Sequence, residues 1–273
     1  MAGRLEGTYL DRIISWHRAR AAADRRPLAA LEEEAARQAR AGRSFASALA
    51  KAPGASVIAE VKRRSPAKGD LAIDLEPALL AGAYERGGAS CLSVLTEEEH
   101  FAGSREDLVS ARQACGLPVL RKDFTVSLAD IYDARAMGAD AVLLIAAALE
   151  EEELASFLQA AARLGLDSLV EVHEEGELET ALALGARLVG VNQRDLRTFE
   201  VDRGRALRLR RAIPPGVLSV AESGLSRPEE VAAMAAAGFD AVLVGESFVT
   251  ASDPAAAVAR FVEAGRAAVA PCG

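Results

Sequence analysis

From Val57 onward, short runs of Val, Ile, Leu and Ala alternate with longer stretches whose apolar residues recur every three or four positions. The runs VIAEVK, ASCLSVLT, LPVLRKDF, ADAVLLIA, LDSLVEVH, ARLVGVN, GVLSVAES and FDAVLVGE are eight strand candidates. Their near-continuous apolarity suits strands buried on both faces. Segments such as LEPALLAGAYERGG, LADIYDARAMGAD, LEEEELASFLQAAARLG and RPEEVAAMAAAG read as helices, several closing on a Gly suited to a C-terminal cap. Strict alternation implies parallel strands joined by crossover helices. Eight such units in 273 residues predict an α/β fold of the (β/α)8 TIM barrel type. An open doubly wound sheet would carry fewer strands and a Gly-rich nucleotide turn, yet KRRSPAKGD after the first run contains neither GxGxxG nor GxxxxGK(S/T). Residues 1–50 differ in texture, being rich in Ala, Arg and Glu at helical spacing, and are expected to form a helical N-terminal extension. With no linker or low-complexity stretch between Val57 and Val249, residues 1–273 are expected to form one domain.

Several apolar runs end on ionisable side chains: Glu60 and Lys62, Lys122, Glu171 and Glu222. A charge at the end of a buried strand needs a partner, a cavity or a ligand, and a barrel builds its active site at the C-terminal strand ends. Asn192 and Arg194 fall at the same end of the sixth run. Singly, each has a plain structural explanation: an ion pair for Glu60 or Glu222, a loop contact for Lys62, a bridge to Asp123 for Lys122. Their convergence predicts a shared polar pocket. After the seventh run come Ser223 and Gly224, and after the eighth Gly245, placing small residues and free amides at expected helix starts, where barrels frequently bind phosphate.

A net charge of −8 argues against a nucleic-acid or anionic-membrane partner, so an anionic ligand needs a local site. The three cysteines, Cys91, Cys115 and Cys272, are odd in number and widely spaced, and read as reduced thiols. Neither an export signal nor an apolar run of membrane-spanning length is present, so a cytoplasmic location is expected. Three histidines without HxxxH or CxxC spacing make a metal site unexpected, and His100 and His173 read as solvated.

The segments IAEVKRRSPAKG, SVLTEEEHFAGS, PVLRKDF, LVEVH, GVNQRDLRTFEVD, AESG and AVLVGESF, in this order and spacing, resemble the indole-3-glycerol-phosphate synthases of tryptophan biosynthesis. The resemblance spans the chain, including the helical extension. It departs at Ala221, Gln193 and His100, none of which removes a group expected to be catalytic. It implies a cofactor-free, decarboxylating lyase acting as a monomer on 1-(2-carboxyphenylamino)-1-deoxyribulose 5-phosphate. It further implies that Lys122 and Lys62 act as acids, Lys62 also pairing with the anthranilate carboxylate, and that Glu171 and Glu60 act as bases. Asn192, Glu222 and Arg194 would bind or orient the substrate, Phe101 and Phe124 would sandwich its ring, and Ser65, Ser223, Gly224, Gly245 and the amide of Glu246 would cradle phosphate. Another phosphosugar barrel, an isomerase or Schiff-base lyase, would share the phosphate loops. A non-catalytic phosphometabolite-binding barrel would have no use for so many buried charges. The extension is expected to cover the active-site mouth.

Overall fold

The computed structural model describes residues 7–38, 43–51, 53–195, 198 and 200–267. Eight parallel strands close on themselves: β1 (Ser56–Val61), β2 (Cys91–Leu95), β3 (Val119–Lys122), β4 (Ala141–Ile145), β5 (Asp167–Val172), β6 (Leu188–Asn192), β7 (Leu218–Glu222) and β8 (Ala241–Val244). Each predicted run holds one strand. Neighbours in sequence are neighbours in the sheet, and β8 returns to β1 in the register Ser56↔Ala241 to Ala59↔Val244. The helices around and between them are α4 (Pro77–Arg86), α5 (Arg105–Ala114), α6 (Leu128–Ala136), α7 (Glu151–Leu164), α8 (Glu175–Ala183), α9 (Arg205–Arg210), α10 (Pro228–Ala236), the single turn α11 (Glu246–Val249) and α12 (Pro254–Ala267). A small antiparallel ribbon, Arg64–Ser65 with Gly69–Asp70, folds the loop after β1 and is a feature the pattern of apolar runs did not predict. No helix among the described residues is long and apolar enough to cross a membrane.

Strand pleating explains why the runs are apolar throughout. Val57, Ala59 and Val61 point outward into the core shared with the helices, whereas Ile58 points into the barrel with Leu120, Leu143, Leu169 and Val220. Burying one such side chain fully is worth about 1.5–3 kcal/mol. One pleat further, two residues on, the interior positions are Glu60, Lys122, Glu171 and Glu222. The apolar layer is thus a floor under a charged one. Asn192 is paired with Glu222 and Glu60 with Ser93, so the polar residues share one level at the C-terminal ends.

Three helices precede the barrel: α1 (Tyr9–Ala23), α2 (Leu28–Arg37) and α3 (Phe45–Ala50). Thr8 and Asp11 cap the start of α1 reciprocally through side chain and backbone. Among the described residues of the extension only α1 reaches the mouth, where Tyr9, Leu10 and Ile13 line the central cavity. It is tied down by Arg18, which donates two 2.8 Å bonds to Glu153 at the start of α7. α2 instead lies outside, Leu31 and Ala35 packing on Ala129 and Tyr132 of α6. α3 closes the opposite end: Phe45 and Leu49 are buried in the barrel-interior cluster. Ser56 donates to the Leu49 carbonyl at 2.8 Å, and the Ala46 amide to Asp167 at 2.9 Å. The expectation that the whole extension covers the mouth is therefore corrected, because its amphipathic helices find apolar surface on three different sides of the barrel.

Candidate active site

Lys122 is the centre of the charged layer. Its Nζ donates to Glu171 Oε2 at 3.3 Å and lies 3.8 Å from Glu222 Oε2, while Asn192 Nδ2 donates to Glu171 Oε1 at 3.0 Å. The alternative bridge to Asp123 does not form. Pleating turns Arg121 and Lys122 to opposite faces, and Arg121 takes Asp123 at 2.7 Å, with Thr96 and the Asp130 carbonyl completing its shell. Lys62, just beyond β1, pairs with Glu60 at 2.7 Å. Gly190 leaves room for this arrangement, since a Cβ there would stand 1.9 Å from Glu222 Oε1.

Burial disfavours charge at all three central groups, but it wins at only one. For Lys122 the carboxylates of Glu171, Glu222 and Glu60 outweigh it and hold the ammonium above the ordinary lysine range. For Glu171, Lys122, His173 and the Asn192 hydrogen bond outweigh burial and keep the carboxyl below its usual value. Glu222 is pushed up to about 8, by burial and then by the Glu171 charge, against the pull of Lys122. Near neutrality the trio is therefore an ammonium, a carboxylate and a carboxylic acid.

These groups face a cavity of about 390 Å³, within the range of small-molecule sites. Glu60, Lys62, Lys122, Glu222, Arg194, Phe101, Phe124, Ser65, Ser223, Gly224, Gly245 and Glu246 all line it. Glu171 and Asn192 are buried behind Lys122. Phe101 and Phe124 stand 6.3 Å apart between ring centroids, tilted by 43°. Phe101 is placed by Glu97, a residue for which local sequence offers no signal beyond a run of three glutamates. Burial is opposed there by His17 and His100, and the carboxyl lies below its usual range. Its Oε2 accepts from the amides of His100 and Phe101 at 2.7 and 2.9 Å, and His17 of α1 approaches its Oε1 at 3.5 Å.

At the opposite wall, Ser223 (φ +66°) and Gly224 (φ +74°) turn consecutively through the left-handed region. Such a turn is costly for Ser and natural for Gly, and it exposes successive amides. It is not a helix start as expected, because α10 begins only at Pro228. Gly245 does precede a helix, the single turn α11, and a Cβ there would stand 2.5 Å from Glu60 Oε1. Lys68, Ser226, Ser247 and Arg203 also line this wall and were not anticipated. Lys68 bonds Glu246 across the mouth, joining the ribbon after β1 to the loop after β8. Arg194 donates its amide to Asn192 Oδ1 at 2.9 Å, so the NxR spacing bends the loop back on itself.

The two histidines expected to be solvated are not. His100 Nδ1 lies 2.9 Å from Glu97, with Tyr9 and Trp16 edge-on to its ring, and His173 lies between Glu171 and Glu177. Cys91 and Cys115 are free and buried, and Cys272 lies outside the described residues. Among the described residues no three His, Cys, Asp or Glu side chains form a metal-binding group.

Similarity to known proteins follows the same outline. Two solved structures share the fold alone: thiamine phosphate pyrophosphorylase from Pyrococcus furiosus (15% identity, TM-score 0.60, covering 78% of this chain and 96% of that one) and a 3-hexulose-6-phosphate synthase (18%, 0.59, 77% and 99%). Sequence relatives are far nearer. Indole-3-glycerol phosphate synthase of Mycolicibacterium gilvum is 50% identical over 259 residues, 94% of this chain and 95% of that protein. Indole-3-glycerol phosphate synthase 1 of Streptomyces coelicolor is 50% identical over 258 residues, with 94% and 95% covered. The corresponding protein of a Parafrankia species is 54% identical over 218 residues, with 80% and 81% covered. The profile of this family matches residues 10–261, which takes in α1 as well as the barrel, and the chain belongs to the indole-3-glycerol phosphate synthase family.

Proposed function

We infer that the chain closes 1-(2-carboxyphenylamino)-1-deoxyribulose 5-phosphate to indole-3-glycerol phosphate, carbon dioxide and water. Family membership supports the reaction, and the observation that supports these residues as its machinery is the cation at Lys122. Ring closure joins the aromatic carbon bearing the carboxylate to the C2 carbonyl carbon, and electrons must flow onto the carbonyl oxygen. A proton donor over that oxygen lowers the barrier, and preorganised charge stabilises the developing alkoxide. Lys122, held cationic among three carboxyl groups, is that donor. The same neighbours argue against a Schiff-base lyase, whose lysine must already be a neutral amine when it attacks the carbonyl carbon.

The carboxylate leaves next as carbon dioxide, returning its bonding electrons to the ring. Lys62 pairs with that carboxylate beforehand, exchanging it for Glu60, and then assists loss of the hydroxyl as water. A base must also remove a proton from C1. Glu171, ionised and in contact with Lys122, fits that role, with Glu60 as the second base. Asn192 and Glu222 orient these groups, and Arg194 borders the substrate hydroxyls. Phe101 and Phe124 flank the anthranilate ring. Ser65, Ser223, Gly224, Gly245 and the Glu246 amide receive the phosphate, which fixes the far end of the substrate and aligns the reacting carbons.

The test is indole fluorescence on adding the synthetic substrate. The wild-type protein should form product, and Lys122→Ala should lose about 10²–10⁴-fold in kcat. No product from the wild type would overturn the function, whereas a fully active Lys122→Ala would discard the mechanism alone.

A further inference from the structure

The reaction assigned above does not balance in protons within the site. Closing the ring puts one proton on the carbonyl oxygen, and departure of that oxygen as water consumes a second. Forming the new double bond returns only one, from C1, and the carboxylate leaves as carbon dioxide without any. Each turnover must therefore take one proton from solvent before Lys122 and Lys62 are both charged again.

His173 stands where such a proton would enter. It follows β5 directly, two residues after Glu171, and its imidazole lies between two carboxylates: Nε2 is 3.6 Å from Glu171 Oε1 and Nδ1 is 3.4 Å from Glu177 Oε2. Both ring nitrogens are shielded, and neither makes a well-aligned hydrogen bond. Glu177, on α8, fixes the backbone here by accepting from the His173 amide at 2.6 Å. His173 and Glu177 line a second cleft of about 430 Å³, which Glu174, Glu175, Asp195, Arg205 and Arg208 complete. Leu10 of α1 lines both this cleft and the central cavity, and so divides them.

We propose that His173 is a positioning residue that relays a solvent proton from this second cleft to Glu171, and through Glu171 to Lys122. The proposal rests on the reaction inferred above. The Nε2–H bond breaks as an O–H bond forms on Glu171, while Nδ1 gains the proton that Glu177 takes up from water in the cleft. The imidazole is left neutral in its other tautomer, and rotation about its side-chain bonds resets it. Glu171, in contact with Lys122 at 3.3 Å, passes the proton on to the amine that has donated. Glu171 thus serves both as the base at C1 and as the conduit for the missing proton. The carboxylates of Glu171 and Glu177 face the ring, and Asp195 and Arg205 line the same cleft, so the pH profile of the relay belongs to this group as a whole.

The test follows indole product and proton uptake together, the latter with a pH indicator in weak buffer. His173→Ala should lower kcat about ten- to a hundredfold with KM within about twofold, and added imidazole should restore activity in proportion to its concentration. His173→Gln, which keeps much of the bulk but cannot take up and pass on a proton, should lose kcat similarly. It also decides the matter if the alanine variant fails to fold. Wild-type kcat in the glutamine variant, or an alanine variant that imidazole does not rescue, would overturn the relay. A wild type that forms no product and takes up no proton would instead sink the reaction itself.

Discussion

Glu222→Gln should make the protein more stable at alkaline pH and change little at acid pH. In the folded protein this carboxyl sits at about 8, against an ordinary value of 4.5, so the fold retains a proton that the unfolded chain releases. The stability this contributes is fully present below about 4.5 and drains away as pH rises towards about 8. At about 1.4 kcal/mol per pH unit, that window sets a ceiling of about 5 kcal/mol. Glu171 and Lys122 lie close enough to take up part of the change, which lowers the expected difference to about 2–3 kcal/mol. Glutamine offers a neutral donor and acceptor in place of the carboxylic acid at every pH, and Glu222 Oε1 has no protein partner to lose. Urea unfolding of both proteins, followed by far-ultraviolet circular dichroism at about pH 5 and about pH 8, isolates the group with its coupled neighbours, because titrations away from the site cancel between them. An advantage for the variant that does not grow with pH would refute the assignment of a neutral, buried acid at this position.

Gly190→Ala should drive Glu222 away from Lys122, given the 1.9 Å approach of its Cβ to Oε1, costing about 1–3 kcal/mol and much of kcat. Steady-state indole fluorescence within about twofold of wild type would show that the position of Glu222 is immaterial to the chemistry. Phe45→Ala should cost about 3–5 kcal/mol, since the ring is wholly buried at the closed end of the barrel, while KM is unchanged. Chemical denaturation showing a loss under about 1 kcal/mol would mean that α3 is no structural plug.

The strands were legible because a parallel strand buried on both faces leaves an unbroken apolar run, and a charge at its end is conspicuous against it. The period of two also puts Glu60 and Lys62 on one face, and they pair at 2.7 Å. What could not be read was the partner of each charge. Lys122 and Asp123 are adjacent in sequence and diverge in space, whereas Lys122 and Glu171 meet from strands 49 residues apart. His100 and His173 read as solvated although Glu97, Glu171 and Glu177 lie within four residues of them, because proximity in sequence does not show that the backbone turns the rings onto those carboxylates. The route of the extension was hidden for a related reason: an amphipathic helix announces that it packs, not what it packs on. The loop after β7 misled because Ser and Gly serve equally in a helix start and in a left-handed turn.

The strapping of the barrel by its own N-terminal segment has a consequence for biosynthesis. Arg18 and Ala46 leave the ribosome early, yet their partners Glu153 and Asp167 lie 135 and 121 residues downstream. At roughly 5–20 residues per second, the segment waits about 6–27 s for the surface it must cover. During that interval the apolar faces of Ile13, Ile14, Phe45 and Leu49 have no native place to go. The extension is therefore made well before the surface on which it is seated, and the nascent protein depends on whatever shields those side chains until the fifth strand emerges.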